Sequence, residues 1–237
     1  MSDNLSKPPV IDLDAIFQPV SEESPSGESL RYSGLYDEIS EARRADMDVS
    51  QGAWQTELKV ADFRKVIELA IPALTSQSKD LQIGAWLSEA LINIHGFTGL
   101  RDSLVLLAGL QDRFWETVYP EIDEGDMSGR ANAIAWFDAQ ASMAVKAAPL
   151  TASGYGLLDF EDSKRFDFPE NIEMLDSSEQ ERLNELKVQA ETQRRVTGEM
   201  WRRSVAETSR AFCETTAFAV DECWTAFNEL NRVIEER

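Results

Sequence analysis

The sequence predicts an all-α fold, a multi-helix bundle with a C-terminal helical hairpin or extension. Apolar residues recur at spacings of three and four through most of the 237 residues, whereas almost no stretch shows the alternation of a half-buried strand. Hydrophobic side chains make up 43% of the chain, which is enough to bury the core of one large domain with or without an extension.

The composition changes twice along the chain and predicts three segments. Residues 1–32 are rich in proline and serine and predict an extended lead-in that ends in turns. Residues 33–165 carry the strongest helical periodicity and predict a helical body. Residues 166–237 predict a linker followed by the C-terminal helical hairpin or extension.

The body contains five predicted helices, near residues 33–46, 62–74, 80–95, 99–118 and 130–148. Asp62 is a good N-cap for the second helix, and Pro72 should kink or end it because proline removes an N–H and crowds the preceding turn. The stretch between the first two helices predicts an ordered loop that docks Trp54 onto the body. Residues 149–166 are expected to form a loop.

The helix near 80–95 is apolar around most of its circumference, which is typical of a central, buried helix. Trp86 and Leu91 on this helix are therefore assigned to the core. Trp115, close to the end of the next helix, is also assigned a structural role.

His95 is the only histidine of the chain and invites interpretation as a catalytic base. We interpret it instead as the last residue of its helix, where it interacts with free carbonyl groups, and Gly96 as the left-handed residue that follows. No Gly-x-Ser-x-Gly sequence or comparable nucleophile motif accompanies it. We expect no catalytic residue in this chain.

Charge and cysteine content exclude several classes of function. The formal net charge of −20 disfavours nucleic acid and anionic membrane surfaces as partners. No apolar stretch is long enough to span a membrane, and the first 30 residues lack the apolar region of a secretory signal, so we expect a cytoplasmic protein. One histidine and two cysteines do not make a four-ligand Cys/His zinc site, and we expect neither metal nor cofactor.

An apolar stripe in the C-terminal segment predicts an interaction. Its candidate interaction residues fall mostly three, four or seven apart on one predicted helix, near 199–236. They are Trp201, Phe212, Phe227, Leu230 and Ile234. The stripe could pack on the upstream helix near 178–196 as an antiparallel hairpin, or on a second copy of the chain, or on both.

Long stretches of the sequence carry a family resemblance. The runs "ESPSGESLRYSGLYDEISEARRAD", "QGAWQTELKVADFRKVIELA" and "SKDLQIGAWLSEALINIHGFTGLRDSL" occur in this order. Together with later runs they resemble the ImpA N-terminal domain, which defines the TssA proteins of bacterial type VI secretion systems. The resemblance covers roughly residues 19–160. It departs at Phe63, where the family often has tryptophan, and at Pro72.

The resemblance implies a non-catalytic assembly or scaffold protein of the type VI secretion apparatus. Members of the family are cytoplasmic, associate with the apparatus at the inner-membrane face, and engage baseplate, inner-tube and sheath proteins. The full-length proteins are expected to be homo-oligomers, and they usually continue into a variable C-terminal part that forms rings. Since this chain ends at Arg237, we expect it to be either a short relative or a fragment. The alternative from another class is a helical hydrolase or ligand-binding protein that uses buried carboxylates. A pocket of mutually close acids would favour that alternative, and a surface of exposed aromatics would favour the scaffold.

Overall fold

The computed structural model describes residues 5–45 and 59–237, so Trp54 lies outside the described residues. The described residues form ten α-helices and a 3-10 turn at Ile172–Met174, and the predicted all-α fold is confirmed. The helices are α1 (Leu13–Ile16), α2 (Leu35–Arg43), α3 (Phe63–Ser76), α4 (Leu81–His95), α5 (Phe97–Phe114), α6 (Ser128–Ala147), α7 (Leu157–Arg165), α8 (Ser177–Thr192), α9 (Gly198–Glu207) and α10 (Arg210–Glu235). Among these described helices, none combines the length and the apolar character needed to cross a membrane.

The chain divides into two compact units. The larger unit consists of Lys7–Val145 with Ala219–Arg237, and the smaller unit consists of Lys146–Phe218 with Leu5 and Ser6. These limits differ from the predicted segments, because most of the predicted lead-in belongs to the larger unit. In the lead-in, Ile16 at the end of the short helix α1 and Phe17 directly after it are buried in the core of the larger unit.

Helix α4 lies at the centre of the larger unit, as its sequence predicted. Leu87 and Leu91 are fully buried, and Trp86 is 8% exposed. One apolar cluster joins these side chains to α1, α2 and α3, while Ala85 and Ile92 on the same helix belong to a second cluster with α5, α6 and α10. Because both clusters include side chains of α4, apolar neighbours enclose this helix on most of its sides, and Asn93 and His95 near its C-terminal end are exposed.

The Asp80 carboxylate provides hydrogen-bond acceptors for free backbone N–H groups at the buried start of α4. Its carboxylate accepts hydrogen bonds from the backbone N–H groups of Gln82 (2.8 Å) and Ile83 (3.1 Å), which caps the helix. The hydroxyl of Tyr36 on α2 donates to the other carboxylate oxygen at 2.7 Å. Burial raises the pKa of Asp80, against the opposing effect of these donors. The cap therefore also fixes α2 against the start of α4.

The connection from α4 to α5 turns within a single residue. His95 ends α4 and is exposed, while Gly96 has φ 59° and ψ −130°. The predicted helix end is confirmed, but Gly96 is not in the left-handed helical region. Its φ and ψ place it in a region open mainly to glycine, and α5 begins at the next residue.

A second glycine lets α4 and α5 approach each other closely. A Cβ at Gly99 of α5 would lie 2.0 Å from the carbonyl oxygen of Leu91 on α4.

The predicted effect of Pro72 on α3 is wrong in one respect, since the helix continues to Ser76. Pro72 and Glu68, whose carbonyl would have bonded to an N–H at position 72, are both exposed. Water at this solvent-facing side can satisfy the freed carbonyl, so the missing bond is tolerated.

Two helix predictions in the smaller unit are also wrong. The expected loop at 149–166 contains α7, whose start is fixed by a 2.8 Å hydrogen bond from the Gly156 N–H to Asp159. The expected single helix near 199–236 is broken between α9 and α10. At the break, the Thr208 hydroxyl accepts from the Ala152 N–H at 3.0 Å and donates to the Ser204 carbonyl at 2.7 Å. These side-chain bonds compensate for the interrupted helix.

We expect Leu91→Ala and Trp86→Ala each to lower the free energy of unfolding by about 2–5 kcal/mol, because each leaves a cavity in the core. Urea unfolding followed by circular dichroism checks this. A variant that unfolds at the midpoint of the parent would contradict the central position of α4.

Asp80→Ala should cost more than the removal of an ordinary cap, because it also leaves the Tyr36 hydroxyl without its partner. We expect a loss of about 2–4 kcal/mol. The matched control is Asp62→Ala, which removes an exposed cap on Lys65 N–H of α3 and should cost about 1 kcal/mol. Equal losses in the same urea experiment would contradict the proposed link between Asp80 and α2.

Candidate interaction surface

Two parallel series of side chains run along the C-terminal half of α10, offset by one residue. Both series have alternating spacings of four and three, which keep each on its own face of a helix. The first series is buried and consists of Ala219, Cys223, Ala226, Leu230 and Val233. The second consists of Val220, Trp224, Phe227, Asn231 and Ile234, and its four apolar members are 39–64% exposed.

The buried series packs within the larger unit. Cys223, Leu230 and Val233 belong to the apolar cluster formed with α4, α5 and α6. The predicted hairpin with the helix near 178–196 is therefore wrong for this part of the stripe. The apolar sides of α5 and α6 provide a larger surface than the mostly polar helix α8, on which only Leu183 and Ala190 are buried.

Polar contacts fix α10 in register against α5. The Cys223 thiol donates to the Phe97 carbonyl, with 3.0 Å between Sγ and O. The Arg101 guanidinium binds Glu222 on α10 at 3.0 Å and Asp102 at 2.7 Å, and it also donates to the Lys7 carbonyl at 2.8 Å. One half-buried arginine thus joins α10, α5 and the start of the larger unit.

Arg130 fixes α6 against the end of α5. Arg130 is 3% exposed. Its guanidinium donates hydrogen bonds to the carbonyls of Trp115 (2.6 Å), Val118 (2.7 Å) and Pro120 (2.8 Å). These donors satisfy carbonyl groups where α5 ends, and the guanidinium lies over the Trp115 ring at 4.7 Å. Trp115 itself is half-buried.

The exposed series of α10 lines an apolar groove together with α5 and α6, which we call the α10 groove. It has a volume of about 500 Å³. The rings of Trp224 and Phe227 stack with centroids 5.6 Å apart and planes inclined by 25°. Across the groove lie Leu100 of α5 and Ile134 and Phe137 of α6. The polar lining residues are Asp138, Ser142 and Asn231.

The structure separates the five candidate interaction residues. Phe227, Leu230 and Ile234 line the α10 groove, but Leu230 is 3% exposed and serves mainly the core. Trp201 packs on Phe160 at 5.1 Å inside the smaller unit. Phe212 is half-buried in the part of α10 that belongs to the smaller unit. The predicted single stripe thus mixed the two series of α10 with residues of a different helix.

The sequence analysis missed Trp224 and Asp138, which lie on opposite walls of the groove. A signal for Trp224 was present, because the spacing from Val220 to Ile234 has the same period as the buried series. Asp138 gave no usable signal, since only the fold places it beside an apolar face.

The chemistry of the groove does not resemble that of a hydrolytic site. Asp138 is its single carboxylate, and its single thiol, Cys223, has a pKa raised to about 12, mainly by burial. Among residues 5–45 and 59–237, no cluster of three or more histidine, cysteine, aspartate or glutamate side chains is placed to hold a metal ion.

We expect the two cysteines to react very differently with a thiol reagent at pH 8, since Cys213 is exposed and Cys223 is buried. With a pKa of about 12, only about 10⁻⁴ of Cys223 is thiolate at that pH, and this fraction rises tenfold per pH unit. Cys213→Ser should therefore react at least about 100-fold more slowly than Cys223→Ser. Equal rates in the native state, with both variants folded, would contradict the packing of α10.

Residues 17–139 of this chain match the family of the ImpA N-terminal region of the type VI secretion system. The type VI secretion system component TssA1 of Pseudomonas aeruginosa is 28% identical over 128 residues, which cover 53% of this chain and 37% of that protein. This chain thus matches well under two thirds of that relative's length.

A solved structure is similar across almost the whole chain. It is the N-terminal domain, including the conserved ImpA_N region, of the TssA component of the type VI secretion system from Burkholderia cenocepacia. The TM-score is 0.79 at 27% identity, and the similarity covers 98% of this chain and 84% of that one. Because the family match alone spans more than half of the 237 residues, the chain belongs to the ImpA N-terminal family of type VI secretion proteins.

Proposed function

We propose that this chain is a non-catalytic assembly component of the type VI secretion apparatus, with a TssA-like role. The observation that carries the proposal is the family match over residues 17–139, reinforced by an exposed apolar groove beside that region. Exposed aromatic surface of this kind is typical of protein interaction sites. The proposed partners are baseplate, inner-tube and sheath proteins, and the proposed location is the cytoplasmic side of the inner membrane.

The buried carboxylates support a scaffold over a hydrolase. Asp80 caps α4, Asp102 accepts from Val10 N–H at 2.6 Å and pairs with Arg101, and Glu89 pairs with Arg43. Each of these acids is engaged by its own structural partners. A general acid and base would instead share one site within reach of a common substrate.

The longer proteins of the family supply a second element of the proposal. We propose that the full-length form is a homo-oligomer and that this chain contributes the part resembling the N-terminal domain of TssA. Such an arrangement would present several copies of one interaction surface, which raises the avidity for a repetitive structure such as a sheath or tube.

The direct test is capture of purified baseplate, inner-tube and sheath proteins by the immobilised chain, paired with deletion of its gene in the host. We expect at least one component to be captured, and we expect deletion to abolish sheath assembly seen by fluorescence microscopy. Normal sheath assembly without the gene would contradict the proposal.

His95→Ala should leave both capture and sheath assembly unchanged, because the side chain is exposed at the end of α4. The expected cost in stability is at most about 1 kcal/mol, from the lost interaction with the helix terminus. A hydrolytic activity of the parent that disappears in this variant would contradict the non-catalytic role.

A further inference from the structure

We propose that the α10 groove binds one amphipathic helix of a partner protein, with aliphatic side chains on one face and lysine or arginine beside them. This inference rests on the proposed function, because it names the kind of segment by which an apparatus protein would engage the chain. The shape, the exposed apolar area and the charge of the groove each support it.

The dimensions of the groove fit a helix of about four turns. One wall follows α10 from Val220 to Ile234, a rise of about 21 Å at 1.5 Å per residue. The facing wall follows α6 from Ile134 to Val145, about 17 Å. A segment of about 14 residues spans this length, and helices that bind in grooves do so through apolar residues three, four and seven apart.

Four exposed apolar side chains lie next to one another along this groove. Trp224 is 64% exposed, Val220 41%, and Phe227 and Ile234 each 39%. Four such side chains on one helix face, with two rings stacked, form a contiguous patch. Aromatic side chains at the centre of an apolar patch commonly dominate the energetics of an interface. Trp224, the most exposed of the four, is the expected anchor.

The charge of the groove selects a basic occupant. Asp138 lines it, and among the described residues the Asp138 side chain forms neither a hydrogen bond nor an ion pair. Asp221 and Glu235 follow the groove residues Val220 and Ile234 on α10 and are exposed. The exposed Arg232 follows the groove residue Asn231, but its charge is paired with Glu229 and Glu236. No lysine or arginine is among the groove's described lining residues. A helix that covers Asp138 must offer it a cation, since burying an unpaired carboxylate is costly.

The same charges disfavour other occupants. A second copy of the chain also carries a net charge of −20 and would bring acid against acid. Anionic lipid is repelled for the same reason. A basic segment from a different protein is attracted both by the rim of the groove and by the whole chain.

The test uses the full chain and three fluorescent 18-residue peptides designed as helices. The first has leucine at positions spaced three and four apart and lysine on the flanks. The second has glutamate in place of every lysine, and the third is a scrambled form of the first. Fluorescence anisotropy gives each dissociation constant at low and high salt.

We expect the lysine peptide to bind at least about tenfold more tightly than either of the others, and more weakly at high salt. Trp224→Ala should weaken binding at least tenfold, and Asp138→Asn should weaken it several-fold and reduce the dependence on salt. Met174→Ala is the matched control, because Met174 is 84% exposed but lies in the smaller unit. Circular dichroism confirms that each variant is folded.

Several results would overturn the inference. Equal binding of the lysine and glutamate peptides would remove the charge argument, and equal binding by Trp224→Ala would place the peptide elsewhere. A dimer in sedimentation that Trp224→Ala converts to monomer would assign the groove to a second copy. Trp224-dependent binding to vesicles of anionic lipid would assign it to a membrane.

The inference and the proposed function fail in different ways. If parent and Trp224→Ala capture apparatus proteins equally and neither binds the lysine peptide, the groove proposal is wrong and the assembly role stands. If the lysine peptide binds through Trp224 but no baseplate, tube or sheath protein is captured, the groove chemistry stands and the assembly role is wrong. Capture that requires Trp224 and is competed by the lysine peptide supports both.

Discussion

Enclosure of α4 is the constraint on which the larger unit depends. A helix that is apolar around most of its circumference must be covered by neighbours on most sides, and only its C-terminal Asn93 and His95 are exposed. One apolar cluster covers it with α1, α2, α3 and parts of α5 and α6, and the other with α5, α6 and α10. Its first turn is buried too, which explains why the capping carboxylate of Asp80 is itself buried and receives a further hydrogen bond from Tyr36.

Two arginines of the larger unit connect segments that are distant in sequence by hydrogen bonds and ion pairs. Arg101 joins α5 to α10 and to the start of the unit, and Arg130 joins α6 to the end of α5. Each of these guanidinium groups, the buried one of Arg130 and the half-buried one of Arg101, has several partners, as a charge removed from water requires. They hold the α10 groove's walls at fixed positions, so a ligand would find the aromatic surface already formed, and little ordering would be needed on binding.

The helix pattern of the sequence predicted much of the fold but little of the candidate site. The core positions of Trp86 and Leu91 and the end of α4 at His95 followed from apolar spacing and from a glycine that few other residues could replace. The helix α7 was missed because its stability comes from local capping and from Phe160 packing on Trp201, a partner about 40 residues away. Pro72 was misjudged because its tolerance depends on which side of α3 meets water.

By itself, the sequence determined the all-α class, the central helix, the family and the absence of an obvious catalytic motif, because these depend on local periodicity and on residue identity. The tertiary structure decided which side of α10 is free. Both series on that helix have the same spacing and similar apolar character, so neither is marked in the sequence as the buried one. Burial of Cys223 and Leu230 beside Phe97 and Phe137 leaves Trp224 and Phe227 at the surface, and only packing against α5 and α6 makes that choice.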